Sequence, residues 1–329
     1  ITTRLVGSEM CIRDRLHTIP YRPLQKYAPG YLGYYMNSAS FHNQLLPLMQ
    51  GIKVTSISKT ALQNTDILYP KSATEQAAIG TYFRNLDNLI TLHQRKFEKL
   101  TNVKKSMLEK MFPQNGGNYP EIRFKGFTDP WEQRKLQEFV EFYSGLTYTP
   151  NDVQESGTLV LRSSNVCDGE VVDADNIYVN SDVVNSENVQ KGDIVVVVRN
   201  GSRTLIGKHA QIKRFMKNTV IGAFMTGIRC DCPPFTNALL NTPAFEKEIA
   251  KNMGATINQI TGYMFSKMEF LIPDLEEQRK IGEFFDGLDN LITLHQRKPP
   301  HKKRRCSDVN RYEANRFVLR FFCKMGYGV

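Results

Sequence analysis

The 329-residue sequence lacks an uninterrupted apolar run of the roughly 18 residues that a membrane-spanning helix needs, and it lacks a signal peptide. Its six cysteines show no disulfide framework, and no Cys or His pairs lie at zinc-binding spacing. We therefore expect a soluble cytoplasmic protein with free thiols, without a metal site and without a membrane partner.

Motifs of enzymes that act on nucleotides or nucleic acids are also missing. There is no GxxxxGK[ST] phosphate loop, no glycine-rich methyl-donor loop and no persuasive set of nuclease carboxylates. Cys232 to Phe235 reads CPPF, which is close to the Asn/Asp-Pro-Pro-Tyr/Phe turn of methyltransferases. It lacks the amide or carboxylate that would hold a base amino group. We predict no catalytic residue and no cofactor.

The net charge of +10 is not distributed evenly along the chain. Residues 299–329 hold eight Lys/Arg and two Asp/Glu, so the total charge is weak evidence for a nucleic-acid partner. The local distribution of charge is stronger evidence for such a partner, because residues 194–230 hold seven basic residues and no acidic one. They lie within residues 114–275, which hold 16 basic and 19 acidic residues. A segment of one sign in an acidic domain would concentrate positive potential on one face.

One 22-residue stretch occurs twice. Residues 75–96 and 277–298 match at 16 of 22 positions, with a constant offset of 202. This spacing is too wide for a solenoid repeat, whose period is roughly 20 to 50 residues. It indicates two copies of one domain, each ending in the same helix.

Apolar residues in the first copy recur at alternating steps of four and three, which predicts a helix from Ile79 to Phe112 with one apolar seam. Its own repeat is the obvious partner, so residues 79–98 should pack antiparallel against residues 281–298. A long core helix is the alternative, but it would not need to be copied nearly verbatim. The predicted seam comprises Ile79, Phe83, Leu86, Ile90, Phe97, Leu100, Ile281, Phe285, Leu288 and Ile292.

The segments before the two copies also match, with Met36 to Ser38 corresponding to Leu240 to Thr242 and Phe41 to Phe245. Residues 1–15 resemble translated sequencing-adaptor read-through and are left out of the fold prediction. The expected divisions are a leader (1–15), the closing part of a first domain (16–74), a spacer helix (75–113), a complete second domain (114–275), a truncated second spacer helix (276–298) and an aberrant basic tail (299–329).

Local patterns predict the main elements of these divisions. The predicted helices are Tyr31–Gln50 and Ala238–Met253, and the predicted strands are Leu159–Arg162, Ile194–Arg199, Ile206–Ile212 and Val220–Arg229. Pro299 stops the second spacer helix about four turns early. Leu100 to Phe112 should therefore lack a partner. The basic run from Lys302 to Arg305 is interpreted as a frameshifted read or, alternatively, a nucleic-acid patch.

Four features together resemble the specificity subunit of type I restriction-modification systems, over about residues 16–298. They are FKGFTDPWEQRKL at 124–136, KGDIVVVVRNGS at 191–202, the P-x3-EQ-x2-IG-x-FF pattern from Pro273 to Phe285 and the duplicated LDNLITLHQRK. The resemblance implies an α+β fold with two target-recognition domains, separated by two antiparallel helices that act as a ruler. It implies a non-catalytic scaffold that binds double-stranded DNA, methyltransferase subunits and ATP-driven restriction subunits, each recognition domain reading half of a split sequence.

Arg199 and Arg203 flank the turn at Asn200 to Ser202, where arginines would reach guanine edges and Asn200 an adenine. The alternative is that the basic residues of this segment are solvated surface charges that do not contact DNA. A structural adaptor without DNA specificity is the second functional hypothesis. One chain would read one half-site, and a homodimer through the spacer helices would read an interrupted palindrome. The predicted DNA-binding residues are Arg162, Arg199, Asn200, Ser202, Arg203, Lys208, Lys213, Arg214 and Lys267.

Overall fold

The computed structural model describes residues 23–49, 57–114, 116–254 and 258–296. The expected leader (1–15) and basic tail (299–329) lie outside these residues. The described chain forms two compact units, the first up to His93 and the second from Gln94. None of the described helices combines the length and apolar character needed to cross a lipid bilayer.

The long α4 agrees with the helix predicted from the apolar seam, and it begins six residues earlier. The predicted helices Tyr31–Gln50 and Ala238–Met253 are each two helices, because Ser38 and Thr242 cap the second helix of each pair. Their hydroxyl oxygens accept hydrogen bonds from the N–H groups of Phe41 and Phe245 at 3.2 and 3.4 Å. The helices are α1 (Tyr31–Met36), α2 (Ala39–Leu45), α3 (Lys59–Gln63), α4 (Ala73–Lys110), α5 (Pro233–Leu239), α6 (Pro243–Asn252), α7 (Gly262–Ser266) and α8 (Leu275–Gln296).

In the first unit, α4 begins against the start of α1. A Cβ atom added to Gly80 would lie 2.7 Å from the carbonyl oxygen of Pro29, so only glycine permits this approach. Gln76 is buried, accepts a hydrogen bond from the Ala28 N–H and donates to the Pro70 carbonyl. Buried polar groups need such partners, and these fix the N-terminal turn of α4.

The second unit uses the same packing where α8 begins. A Cβ atom added to Gly282 would lie 2.7 Å from the backbone nitrogen of Phe235, and Gln278 donates to the Pro273 carbonyl at 2.9 Å. The long helix of each unit therefore starts with the same glycine contact and the same glutamine hydrogen bond.

The strands of the second unit form two four-stranded sheets and two small antiparallel pairs. The first sheet has the order β2-β11-β8-β9 and is antiparallel. The second has the order β10-β4-β7-β3, with a parallel β10–β4 pair. The α+β class is confirmed. The strands are β1 (Glu132–Lys135), β2 (Glu141–Ser144), β3 (Val153–Gln154), β4 (Thr158–Leu161), β5 (Val166–Cys167), β6 (Glu170–Val171), β7 (Ile177–Val179), β8 (Ile194–Val197), β9 (His209–Gln211), β10 (Thr219–Ile221), β11 (Met225–Arg229) and β12 (Glu269–Ile272).

Strand β8 is buried on both faces. Ile194 and Val196 pack into the core that includes the helices, whereas Val195 and Val197 pack into a second core with Leu161. Successive side chains of a strand point to opposite faces, so a strand between two cores must be apolar throughout. This is the physical reason for the uninterrupted IVVV run.

Two of the predicted strands are shorter than expected. The strand predicted at Ile206–Ile212 begins only at His209, because Gly207 adopts the left-handed conformation with φ of 84°. The strand predicted at Val220–Arg229 is divided into β10 and β11 by a turn, in which the Met225 N–H donates to the Gly222 carbonyl. The turn projects residues 223 and 224 to the surface.

The end of α4 lies in the core of the second unit. The Phe112 ring centroid is 5.7 Å from those of Trp131 and Phe235 and 6.0 Å from that of Phe285. The prediction that Leu100 to Phe112 lacks a partner is therefore wrong. The Lys104 ammonium lies 2.5 Å from the Asp289 carboxylate, so this part of α4 meets α8 in antiparallel order.

The apolar face of α8 at Ile281, Phe285 and Leu288 belongs to the same core. That core takes its contribution from α4 between Leu100 and Phe112, and not from residues 79–98 as the seam predicted. The reason is that α5 and the C-terminal end of α4 fill the space against α8. Four of the predicted seam residues, Ile79, Phe97, Leu100 and Ile292, are half-buried, and three, Phe83, Leu86 and Ile90, are exposed.

Candidate nucleic-acid interface

The connection between β8 and β9 is held by two neighbouring segments. The N–H groups of Val198 and Arg199 both donate to the Phe224 carbonyl, at 3.0 and 3.2 Å. On the other side, the Ile260 N–H donates to the Val198 carbonyl and the Asn200 N–H to the Asn258 carbonyl, at 2.9 and 3.3 Å. The backbone that presents Arg199 is therefore fixed on both sides.

Asn200 shapes the turn that follows. Its side-chain Nδ2 donates to the Ser163 hydroxyl, and its Oδ1 accepts a hydrogen bond from the Ser202 N–H, both at 2.9 Å. Bidentate recognition of adenine would use both of these atoms. The geometry favours a turn-forming role for Asn200 over the predicted adenine contact, because the turn already engages both polar atoms.

Three exposed cations lie on this connection: Arg199, Arg203 and Lys208. Within the described part of the chain, none of them has a carboxylate at ion-pair distance. The Ser202 hydroxyl hydrogen-bonds to that of Thr204 at 2.9 Å, which braces the short 3-10 turn beginning at Arg203. The connection thus presents positive charge on an ordered backbone.

Arg162 and Lys267 lie on segments that adjoin this connection. Arg162 precedes Ser163, the hydrogen-bond partner of Asn200, and its guanidinium donates to the Asp175 carbonyl at 2.7 Å. The Lys267 ammonium lies 5.6 Å from the ring centroid of Tyr263, which is exposed. Arg162 therefore holds a neighbouring loop, whereas Lys267 adds a further exposed charge.

Lys213 and Arg214 are not part of this group. They follow β9, so they lie beyond the end of that strand that is opposite the β8–β9 connection. Lys213 is also 3.6 Å from the Asp286 carboxylate on α8. The structure thus divides the predicted DNA-binding residues between two ends of one sheet.

Arg229, one of the seven basic residues of the acid-free segment, has a structural role. Its guanidinium donates to the carboxylates of Asp193 and Glu187 and lies 4.5 Å from the Tyr143 ring centroid. The Tyr143 hydroxyl donates to Asp193 at 2.7 Å. Burial and this hydrogen bond raise the pKa of Tyr143, so the phenol stays protonated and continues to donate.

One exposed residue of this surface was missed from sequence. Phe224 exposes 54% of its surface in the turn between β10 and β11, and the Arg199 guanidinium carbon lies 4.9 Å from its ring centroid. The sequence pattern predicted a single strand over residues 220–229. Gly222 was the available signal, because a glycine inside a strand pattern often marks a break.

The surface offers hydrogen-bond donors, positive charge and exposed aromatic rings. These groups suit a ligand with phosphates and flat polar edges, as in nucleic acid. Among the described residues, no group of three or more His, Cys, Asp or Glu side chains is arranged to hold a metal ion.

Known proteins resemble the chain in sequence and in fold. A family model described as the type I restriction modification DNA specificity domain matches residues 128–301, just over half of the chain. The MjaVIII specificity subunit of Methanocaldococcus jannaschii is 26% identical over 261 residues, covering 74% of this chain and 60% of that protein. The StySPI specificity subunit of Salmonella potsdam is 26% identical over 167 residues, covering 48% of this chain and 36% of that protein.

Two solved structures share the fold. A chain from a type I restriction-modification system, studied for its complex assembly and conformational transition, superposes with a TM-score of 0.52 at 18% identity. That match covers 90% of this chain and 69% of the other. The type I S subunit of M. genitalium superposes with a TM-score of 0.50 at 16% identity, covering 91% and 73% of the two chains.

Proposed function

Because the chain belongs to the family of type I restriction-modification DNA specificity domains, we propose that it is a DNA-recognition subunit of such a complex. Its second unit binds one half of a split duplex sequence. The observation that carries this proposal is the exposed set of Arg199, Arg203 and Lys208, which form no ion pair among the described residues. Such charges supply phosphate and base-edge contacts.

The proposed subunit recognises DNA and performs no chemistry of its own. Methyltransferase subunits and ATP-driven restriction subunits are its proposed partners, as the family assignment and the names of the relatives suggest. No catalytic residue or cofactor is assigned to the chain. The chain spans 60% of the length of the archaeal relative, so these partners are proposed on the family resemblance.

We propose the repeated helix as the docking face for the methyltransferase subunits. Leu89 and Leu92 expose 52% and 61% of their surface, and the equivalent Leu291 and Leu294 expose 45% and 59%. Exposed apolar stripes mark interaction sites. Since equivalent residues are exposed in both copies, one kind of partner would bind at each.

The shared packing of the two units supports the proposed domain organisation. Residues 16–74 would be the closing segment of a first recognition domain, and residues 114–275 a second domain. Residues 75–113 and 276–298 would be their spacer helices. The paired contacts of Gly80 and Gly282, and the paired caps of Ser38 and Thr242, support this correspondence.

A homodimer is part of the proposal. Phe83, Leu86 and Ile90 expose 42%, 37% and 54% of their surface on one face of α4. A second copy of the chain would cover this face around a two-fold axis, the commonest symmetry of soluble oligomers. Such a dimer would recognise an interrupted palindrome. Light scattering of the purified chain tests the dimer, and a monomer at micromolar concentration would contradict it.

Mapping methylated bases in cells that express the chain with methyltransferase subunits tests the function directly. We expect one recurrent interrupted motif. A palindromic motif supports the dimer, whereas an asymmetric split motif means that a different first domain is read. Absence of any motif, together with no duplex binding by the assembled complex, would instead support the adaptor without DNA specificity.

Replacing Arg199 and Arg203 by alanine tests the interface. A base-contacting arginine is worth about 1 to 3 kcal/mol, so affinity should fall by about 5- to 150-fold and one motif position should relax. The matched control replaces Lys213 and Lys217 by alanine. These substitutions remove the same amount of positive charge at the opposite end of β9. Equal losses in both double variants would mean that only overall charge matters.

A further inference from the structure

The turn that carries Phe224 displays its ring on a fixed backbone. The Phe224 carbonyl accepts two hydrogen bonds from the β8–β9 connection, and the Ala223 N–H donates to the Leu146 carbonyl at 2.9 Å. A Cβ atom added to Gly145 would lie 2.1 Å from the Gly222 carbonyl oxygen, so the segment that follows β2 approaches as closely as glycine allows. The backbone that carries the exposed phenyl ring is therefore fixed.

Arg199 uses this ring as a platform. Its guanidinium carbon lies 4.9 Å from the Phe224 ring centroid, within the range of a cation–π contact. Among the described residues, no carboxylate forms an ion pair with Arg199. Because Phe224 is uncharged, it restricts the Arg199 side chain without neutralising its positive charge. The N–H fork thus remains available for a planar acceptor pair, which is how arginine reads guanine O6 and N7.

Phe224 remains 54% exposed although the guanidinium lies beside its ring. The thymine 5-methyl group is the apolar group that base edges present in the major groove, and phenylalanine is among the side chains that contact it. Neighbouring bases in one strand are about 3.4 Å apart along the helix axis. This step is comparable to the 4.9 Å between the guanidinium and the ring centroid. An arginine on one base would thus bring Phe224 to the next.

We infer that Arg199 and Phe224 together read a guanine that adjoins a thymine in the half-site. Arg199 donates to the guanine, and Phe224 covers the thymine methyl group and holds the guanidinium in place. This inference rests on the proposed function. It makes Phe224 a specificity-determining residue.

The test uses the assembled methyltransferase complex and duplexes that carry its mapped motif. In one set of duplexes, each thymine in turn is replaced by uracil, which removes only the methyl group. In a second set, each guanine in turn is replaced by 7-deazaguanine, which removes N7. Binding is measured for the wild type, Phe224→Ala, Phe224→Leu and Arg199→Ala. Phe215→Ala is the matched control, because Phe215 is 78% exposed beyond the opposite end of β9.

For the wild type, we expect one uracil substitution to weaken binding about fourfold, the effect of losing one buried methyl group. It should adjoin a guanine whose 7-deaza substitution also weakens binding. Phe224→Ala should bind the thymine and uracil duplexes equally, and Arg199→Ala should lose the 7-deazaguanine effect. Phe224→Leu should keep part of the methyl effect, and Phe215→Ala should keep all of it.

Two results would overturn the inference while leaving the proposed function intact. One is specific binding by the wild type without any position sensitive to uracil. The other is a uracil effect that persists unchanged in Phe224→Ala. A loss of affinity in Phe224→Ala that is equal for every duplex and accompanied by loss of DNA bending would identify a wedge between bases instead. Failure of the wild type to bind any motif would overturn both proposals together.

Discussion

Glu277 and Glu75 provide a test of what burial does to one residue of the repeat. They are equivalent third residues of α8 and α4, yet the Glu277 side chain is 0% exposed and Glu75 is exposed. The Arg123 guanidinium meets Glu277 with two hydrogen bonds, Nε to Oε1 and Nη2 to Oε2, each at 2.8 Å. Arg123 also donates to the Asp129 carbonyl at 2.7 Å, which ties the segment before Trp131 to α8.

Glu277→Ala should lower the free energy of unfolding of the second unit by about 3 to 5 kcal/mol, because it leaves a largely buried cation unpaired. For a unit of 150 to 250 residues, each kcal/mol shifts Tm by about 2 to 4 °C, so the loss should be at least about 6 °C. Glu75→Ala removes the same side chain from the same helix position. It should cost less than about 1 kcal/mol, the value of an exposed charge near a helix N-terminus.

Urea unfolding measures both variants. The single tryptophan, Trp131, is buried beside Phe112 and Phe235, so its fluorescence reports on the second unit. Far-UV circular dichroism follows the whole chain. Replacing Arg123 by Met and Glu277 by Leu together should recover most of the loss, since an apolar pair avoids the desolvation of two charges. Losses within 1 kcal/mol of each other for Glu277→Ala and Glu75→Ala would refute the reasoning.

Two further predictions concern the second unit. Gly282→Ala should destabilise it by about 1 to 3 kcal/mol because the new methyl group would lie 2.7 Å from the Phe235 nitrogen. Gly287→Ala, in open space on the same helix, should stabilise it by up to about 1 kcal/mol, and thermal melts that rank the two variants in the reverse order would contradict this. Burial lowers the pKa of His209, so the folded chain does not take the proton that the unfolded chain binds, and stability should fall as pH drops below about 6.5. His209→Gln should flatten this dependence between pH 7.5 and 5.5, and an unchanged slope would assign it to other groups.

Features encoded in short stretches were predictable. The apolar seam predicted α4, and the uninterrupted IVVV run predicted a strand. The turn at Asn200 was also predicted, but the side chain forms it: the Asn200 Oδ1 accepts a hydrogen bond from the Ser202 N–H, and neither Asn200 nor Gly201 has a positive φ. In each case the cause is periodicity or a hydrogen bond within a few residues. Element ends were less accurate, as in the strand that Gly222 divides.

The repeat and the acid-free segment are properties of the residue order itself, and the secondary-structure periods depend only on near neighbours. The burial of individual charges was decided by tertiary structure. Arg199 and Arg229 belong to the same acid-free segment, but Arg229 reaches Asp193, 36 residues away, whereas Arg199 lies on an exposed phenyl ring. Glu75 and Glu277 stand in nearly identical repeats, and only Glu277 meets an arginine 154 positions away. A pairing between distant segments sets the solvation of each partner, and near neighbours in the sequence do not specify it.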